Sequence, residues 1–358
     1  MITIPTGYHA AATDYPSDTE PTELSAERKQ HSQQNCCFNL LGLVLTAAFI
    51  LCSMSSFAYC DFLSRKVTLG PNYNAISPES SSTHISLMTF NIRYANIFDG
   101  MNGWYFRQNH PINLINRYKP TVMGTQEGLH IQLKELHHGL VDGYERYGIP
   151  RDRNGEHVQI FYDTKKVIRL DGGNFWLSET PDEPGLVPSW GARNHRLTTW
   201  CKFQVQNSQQ VFYVFNTHLD NRSKEAQRKG AILINERIRS ITEPQDTVFL
   251  LGDFNTFRED LPYQYFTTEV EHGFRDAWLN ATSKEGNVSY TFHAFKGVNN
   301  PKEIGAEVGR HHIDFVLYSP PSIEVTKTEV ITEGRKGCCI KKLYPSDHFP
   351  VLTHVVLP

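Results

Sequence analysis

One stretch constrains this chain more than any other: Thr247-Val248-Phe249-Leu250-Leu251, followed at once by Gly252-Asp253-Phe254-Asn255. The β-branched and apolar run has the length of a strand buried on both faces. The glycine lets the backbone turn at its end. Asp253 and Asn255 stand two apart on extended chain and so project to the same side. In open α/β sheets ligands sit beyond such strand ends, where the pair could hold a water, a metal or a phosphate. Gly-Asp-x-Asn is equally good turn chemistry, so the segment alone is ambiguous. Its weight comes from recurrence, because a strand followed by a polar cluster is found at five other places.

Ile85 to Phe90 reads as a strand ending at Asn91-Ile92-Arg93-Tyr94, and Thr121 to Gly128 as one ending on Glu127. Val211 to Asn216 runs into Thr217-His218-Leu219-Asp220. Ile313 to Tyr318 carries Asp314 near its start, and Tyr344-Pro345-Ser346-Asp347-His348-Phe349-Pro350 leads into an apolar run ending at Leu357. Further strands are expected over 156–162 and 198–205. Helices are expected over 104–119, with Pro111 starting or breaking it, over 131–138, and over 224–241, where Ala231, Ile234 and Ile238 share a face. Residues 259–310 read as loop-rich around Thr291-Phe292-His293.

Ahead of this pattern the composition differs. Residues 1–35 are polar, with Pro5, Pro16 and Pro21, and read as lacking a fixed fold. Residues 36–60 carry no charge until Asp61, a stretch of about 25 residues, enough for a helix to cross a hydrocarbon layer of roughly 30 Å. The expectation is a single membrane-spanning anchor; a signal peptide cut near Ser56-Phe57-Ala58 and a buried core helix are the alternatives. Arg28 and Lys29 before it balance Arg65 and Lys66 after it, so orientation is open. Sequons at Asn221, Asn280 and Asn287 would, if used, put the domain outside the cytosol; if the leader is cleaved it is secreted. Residues 61–83 read as a Ser-rich linker and 84–358 as the folded domain. The net charge of −3 excludes a global basic field for nucleic acid. The cysteines, without a CxxC pair, argue against a zinc site.

The strand-end residues are Asn91, Glu127, His218, Asp220, Asp253, Asn255, Asp314, Asp347 and His348. Each has a plain reading as a turn former, a cap or a core histidine. Together they offer hard oxygen ligands suited to Mg²⁺ or Mn²⁺ and histidines able to pair with acids for proton handling. That combination fits hydrolysis of a phosphate ester.

Six segments in order, Met88-Thr89-Phe90-Asn91-Ile92-Arg93, Gly124-Thr125-Gln126-Glu127, Asn216-Thr217-His218-Leu219-Asp220, Gly252-Asp253-Phe254-Asn255, His312-Ile313-Asp314 and Pro345-Ser346-Asp347-His348-Phe349-Pro350-Val351, resemble the endonuclease/exonuclease/phosphatase superfamily, which is DNase I-like. The intervening segments, such as Phe175-Trp176-Leu177-Ser178-Glu179-Thr180-Pro181, look most like the compact branch beside the CCR4-type enzymes. The resemblance implies a four-layer α/β sandwich of two packed mixed sheets flanked by helices. It also implies roles. Glu127 binds the metal with Asn91 beside it and Asp347 as a further ligand; Asp253 orients or deprotonates the water; Asn255 helps place water and phosphate; His348, held by Asp314, stabilises the phosphate charge; His218 and Arg196 are further phosphate contacts. His312 stands where many members have a basic residue, with Arg310 nearby.

The expected function is a Mg²⁺-dependent phosphodiesterase of the 3′–5′ exoribonuclease kind, with RNA stacked on Trp104, Tyr105, Phe175, Trp176 or Trp190. The alternative is a membrane-associated lipid or inositol phosphate hydrolase of sphingomyelinase or phosphoinositide phosphatase type. No protein partner is indicated.

Overall fold

The computed structural model describes residues 83–268, 273–286, 290–299, 312–334 and 343–358. The expected tail, anchor and linker over 1–82 lie outside the described residues, as does Arg310; among the described residues no helix is long and apolar enough to cross a membrane.

In chain order the elements are β1 (Thr83–Asn91), α1 (Trp104–Arg107), α2 (Asn109–Tyr118), β2 (Val122–Gly128), α3 (His130–Gly139), β3 (Tyr144–Tyr147), β4 (His157–Asp163), β5 (Val167–Trp176), β6 (Leu197–Val205), β7 (Val211–His218), α4 (Lys224–Ile241), β8 (Thr247–Asp253), α5 (Leu261–Thr268), β9 (Arg275–Asp276), α6 (Ala277–Asn280), β10 (Ser283–Glu285), β11 (Asp314–Ser319), β12 (Glu324–Val330) and β13 (Val351–Leu357). They build a seven-stranded sheet, β10-β12-β13-β1-β2-β4-β3, and a six-stranded sheet, β5-β6-β7-β8-β11-β9. Both are mixed: β1 runs parallel to β2 and β7 parallel to β8, with antiparallel partners outside them.

Strand alternation sorts side chains into three cores. Leu87 and Val122 of one sheet meet Phe249, Leu251 and Val316 of the other between the sheets. Val248, Leu250 and Leu317 face outward onto Ala231, Ile234 and Ile238 of α4 and Phe266 of α5. Met88, Phe90 and Met123 face outward onto Leu114 and Ile115 of α2 and Leu133 and Leu136 of α3. Helix, sheet, sheet, helix is thus the layer order, which is why the central strands read as nearly continuous apolar runs.

The expected helix over 104–119 is two, parting at Gln108; Pro111 sits in the first turn of α2, where its missing N–H costs nothing. The loop-rich reading of 259–310 missed α5, whose Tyr263 and Phe266 are buried. Trp104 and Phe175 are buried packing residues, so neither is a platform for bases, whereas Tyr105 is exposed.

Two glycines set how closely the strands come together beside the polar ends. A Cβ on Gly124 would lie 2.2 Å from Leu251 Cδ1, so the sheets could not approach there. Gly252 has φ of +151°, and its Cβ would lie 2.1 Å from the Thr217 carbonyl oxygen. Only glycine accepts that backbone and that contact.

Candidate active site

The parallel strands β1, β2, β7 and β8 all end on the same side, and β11 and β13 begin there. Register does the rest. His218 lies level with Asp253 across the parallel pair, and Asp253 level with Asp314 across the antiparallel one. In the other sheet Asn91 is level with Gln126, one residue before Glu127. Beneath them a polar layer ties the sheets together: Gln126 Nε2 donates to Asn216 Oδ1 (2.7 Å), and Asn216 Nδ2 donates to the carbonyls of Gln159 (2.9 Å) and Thr125 (3.1 Å).

Asn91 joins the two halves. Its Nδ2 donates to Asp253 Oδ2 at 2.9 Å and to Glu127 Oε1 at 3.1 Å. Glu127 and Asn255 both have positive φ, 64° and 49°, and the β2–β4 register shifts between Thr125 and Gly128. Left-handed backbone is uncommon for glutamate and is held here by its surroundings; it re-aims the carboxylate, as bulges do. Glu127 Oε2 accepts from the Tyr94 N–H (3.2 Å). Arg93 faces both Glu127 (3.9 Å) and Asp347 (3.7 Å) and pairs with Asp99 (3.0 Å).

On the other side His348 Nδ1 bonds Asp314 Oδ2 at 2.9 Å. Burial alone would lower the His348 pKa, but Asp314, through charge and hydrogen bond, then Asp253 and Asp347, raise it to about 10. Its Nε2 stands 3.8 Å from Asp253 Oδ2. Burial, then the Asp314 charge, push the Asp253 carboxyl up to about 7. Burial also raises Asp347, reinforced by Glu127 and opposed by His348. His218 is driven the other way: burial, then Arg196 and Arg151, hold it well below the usual imidazole range. Its contact with Asp253 at 3.5 Å is therefore a neutral ring beside an acid, not an ion pair. Asn255 donates its backbone N–H to Asp253 Oδ1 (2.9 Å), but its side chain donates to the Leu219 carbonyl (3.1 Å).

The donor atoms of Asp253, Asp314 and His348 lie within 4.8 Å of one another. In that trio the imidazole Nδ1 is already engaged with Asp314. Glu127 and Asp347 offer a different cradle: two carboxylates flanking one guanidinium, with the Asn91 amide beside Glu127 and no thiol among them. Acids crowded this way are stabilised by a cation, and an all-oxygen set suits Mg²⁺ or Mn²⁺.

Asp220, an expected member of the cluster, and His312, which stands where many superfamily members have a basic residue, do other work. Asp220 caps the turn after β7, accepting from the N–H groups of Arg222 (2.9 Å) and Ser223 (2.7 Å). His312 is buried against Trp278 and Phe315, and burial holds its pKa far down, so it supplies no basic charge to the groove. Arg196 is buried near Asp220 (3.8 Å) and shares an opening with His218.

Sequence reasoning passed over Arg107. Its guanidinium is fully buried and donates to the carbonyls of Asn102, Ile92 and Pro345 (each 2.8 Å) and Arg93 (2.7 Å). It thereby pins the loop after β1 to the loop carrying Asp347 and His348. A buried arginine with four carbonyl partners was detectable in the sequence only as a charge on a short helix.

A sequence profile of the Endonuclease/Exonuclease/phosphatase family matches residues 88–348, and the chain belongs to that family. Among solved structures, a member from Bacteroides vulgatus is 33% identical, with TM-score 0.69, covering 77% of this chain and 100% of that one. The mannosyl-6-phosphatase of Bacteroides thetaiotaomicron is 29% identical, with TM-score 0.68, covering 76% and 100%. A Schizosaccharomyces pombe protein named "Probable RNA exonuclease" is 26% identical over 225 residues, 58% of this chain but only 43% of that protein. Family members hydrolyse phosphate esters, generally with a divalent metal.

Proposed function

We propose that this protein is a divalent-metal-dependent hydrolase that releases phosphate from a phosphorylated sugar. The observation that carries the hydrolase reading is the convergence of Asn91, Glu127, Asp253, Asp314, Asp347 and His348 from both sheets at one strand-end surface. Glu127 and Asp347, with Asn91, would hold Mg²⁺ or Mn²⁺, which when bound would withdraw charge from a phosphoryl oxygen.

The chain's own groups do the rest. Asp253, fixed by Asn91 and the Asn255 N–H, orients a water and accepts its proton as the water oxygen bonds phosphorus; the P–O bond to the sugar breaks and the departing sugar oxygen takes a proton from solvent. His348 is held protonated by Asp314 and donates to the phosphoryl oxygen on which charge develops. Neutral His218 donates a second hydrogen bond there, and Arg196 a third. Asn255 helps place the water only through Asp253, whose Oδ1 accepts its backbone N–H.

The sugar phosphate reading is supported by the 29% identity to a mannosyl-6-phosphatase that this chain covers completely. It is supported too by the burial of Trp104 and Phe175, which removes two of the expected stacking platforms for bases. A second reading, trimming of RNA 3′ ends, is favoured by the fission yeast relative and by exposed Tyr105.

The test is hydrolysis by the purified full chain of hexose 6-phosphates, 5′-labelled RNA, bis-p-nitrophenyl phosphate and p-nitrophenyl phosphate, with Mg²⁺, with Mn²⁺ and with excess chelator. Metal-dependent phosphate release, fastest from the hexose 6-phosphates, is the expected result. Ladder formation on RNA with no sugar phosphate turnover selects the second reading. Turnover that survives the chelator overturns the metal assignment.

A further inference from the structure

Beside the catalytic centre, and sharing His218 with it, is a narrow opening lined by Arg151, Glu156, His157, His195 and Arg196. Its walls come from both sheets: Glu156 and His157 at the start of β4, His195 and Arg196 just ahead of β6, with His218 at the end of β7 between them and the reacting atoms. The reaction as derived uses only His218 and Arg196 from this group.

The side chains are arranged as a built site. Arg151 Nη1 bonds Glu156 Oε2 at 2.6 Å, and the Arg151 N–H donates to the Glu156 carbonyl at 2.9 Å, so acid and base are locked side by side. The Arg151 carbonyl is itself anchored by the Trp176 indole N–H (3.0 Å), which fixes the segment that carries the guanidinium. Among the described residues neither Arg151 Nε, which faces Asp152 Oδ2 at 3.5 Å, nor Arg196 Nε makes a hydrogen bond. Arg196 is only 6% exposed, and its nearest carboxylate oxygen, on Asp220, is 3.8 Å away. A buried guanidinium with an empty donor costs stability unless something supplies an acceptor.

The chemistry on offer narrows the ligand. Among the described residues no aromatic ring apart from the imidazoles lines the opening, so these residues do not stack a base. A carboxylate takes hydrogen bonds and a guanidinium gives them. A hydroxyl does both, and two neighbouring hydroxyls can each donate to the acid and accept from the base. We infer that Arg151 and Glu156, next to the phosphate contact Arg196, form a subsite that reads adjacent hydroxyls of the sugar bearing the scissile phosphate. The inference rests on the hydrolase reading above and specifies it. Adjacent hydroxyls occur on a free hexose phosphate and on the terminal ribose of RNA, and both sources present the same chemistry. Arg151 and Glu156 are in this view specificity residues: they touch the part of the substrate that does not react.

The test compares, on the full chain with Mg²⁺, kcat/KM for a hexose 6-phosphate against p-nitrophenyl phosphate, which has no hydroxyls. It also compares a dinucleotide ending in ribose against its 2′,3′-dideoxy counterpart. Wild type is expected to prefer the hydroxylated member of at least one pair by 10-fold or more, since a site built to bond hydroxyls rejects an analogue lacking them. The pair that shows the preference identifies the source. Glu156→Gln and Arg151→Gln should each collapse that preference at least 10-fold, chiefly through KM, and Arg151→Lys, which keeps the charge, should restore part of it. A wild-type enzyme active on all four esters without preference overturns the subsite while leaving the hydrolase intact. Equal losses on both members of a pair in Glu156→Gln also overturn it, because the residue would then act on the reaction and not on the sugar. A wild type inactive on every ester overturns the hydrolase reading, and the subsite with it.

Discussion

Asp253→Asn will lower kcat by about 10³–10⁴-fold on whichever ester proves best, the upper part of the range for loss of a positioned general base. The asparagine keeps the size of the side chain, and its carbonyl oxygen can still accept the Asn255 N–H that Asp253 accepts at 2.9 Å. What it loses is the capacity to take a proton from water, and the oxygen that accepts from Asn91 Nδ2 at 2.9 Å. Stability should move the other way. The Asp253 pKa is raised from 3.8 to about 7 by burial and by Asp314. A raised acid binds more protons folded than unfolded, so between those values folding becomes less favourable as pH rises, and above about 7 the ionised group contributes its full cost. Removing the charge at pH 8 should leave the thermal midpoint unchanged or raise it. Parallel kinetics and melts at pH 8 check both halves. Turnover retained in Asp253→Asn would remove Asp253 from its role, and a large drop in midpoint would mean that the carboxylate is structural.

The second large effect belongs to Asp314. His348 owes its pKa of about 10 first to this residue, against a burial effect that pulls downward. The raised value means that the ring is protonated below about 10 and neutral above it. Activity that needs a protonated His348 should therefore fall as pH rises through about 10. In Asp314→Asn the alkaline limb should move down to near or below 6.5, the ordinary imidazole value. At pH 8 the loss in kcat should be about 10²–10⁴-fold, comparable with replacing the carboxylate that orients the histidine of a serine protease. Part of the loss should return toward pH 5–6. A profile of kcat from pH 5 to 11 for both proteins is the measurement. An unshifted alkaline limb would show that the 2.9 Å contact between Asp314 and His348 does not set the histidine's protonation.

Strand ends were legible because two local rules coincide there. An apolar run marks a strand sandwiched between layers, and short polar residues just beyond it mark where the chain leaves that shelter. Asn91, Glu127, His218, Asp253, Asp314 and His348 all follow that pattern; register aligns those within each sheet, and the packing of the two sheets brings them together. Asp220 follows it too and turned out to cap a turn, since a carboxylate after a strand serves either purpose. β5 was missed because four of its ten residues are exposed and it contains Asp171-Gly172-Gly173, which reads as a turn. α5 was missed because it is only eight residues long and Pro262 stands in its first turn. Arg107 and Arg151 have no sequence signature, and Glu156 was legible only as the start of a strand. The significance of Arg107 lies in a contact across 238 residues of chain with Pro345, and that of the other two in the opening they line.

The central claim is that one hard divalent ion sits against Glu127 and Asp347, with the Asp253, Asp314 and His348 group left free to handle water and proton. A crystal of the protein grown with Mn²⁺, examined by anomalous scattering at the manganese edge, tests this most directly. The account predicts one strong peak bonded to Glu127, with Asn91 and Asp347 around it and Arg93 swung aside toward Asp99. A peak seated instead among Asp253, Asp314 and His348, with Glu127 still held by Arg93 and the Tyr94 N–H, would contradict it.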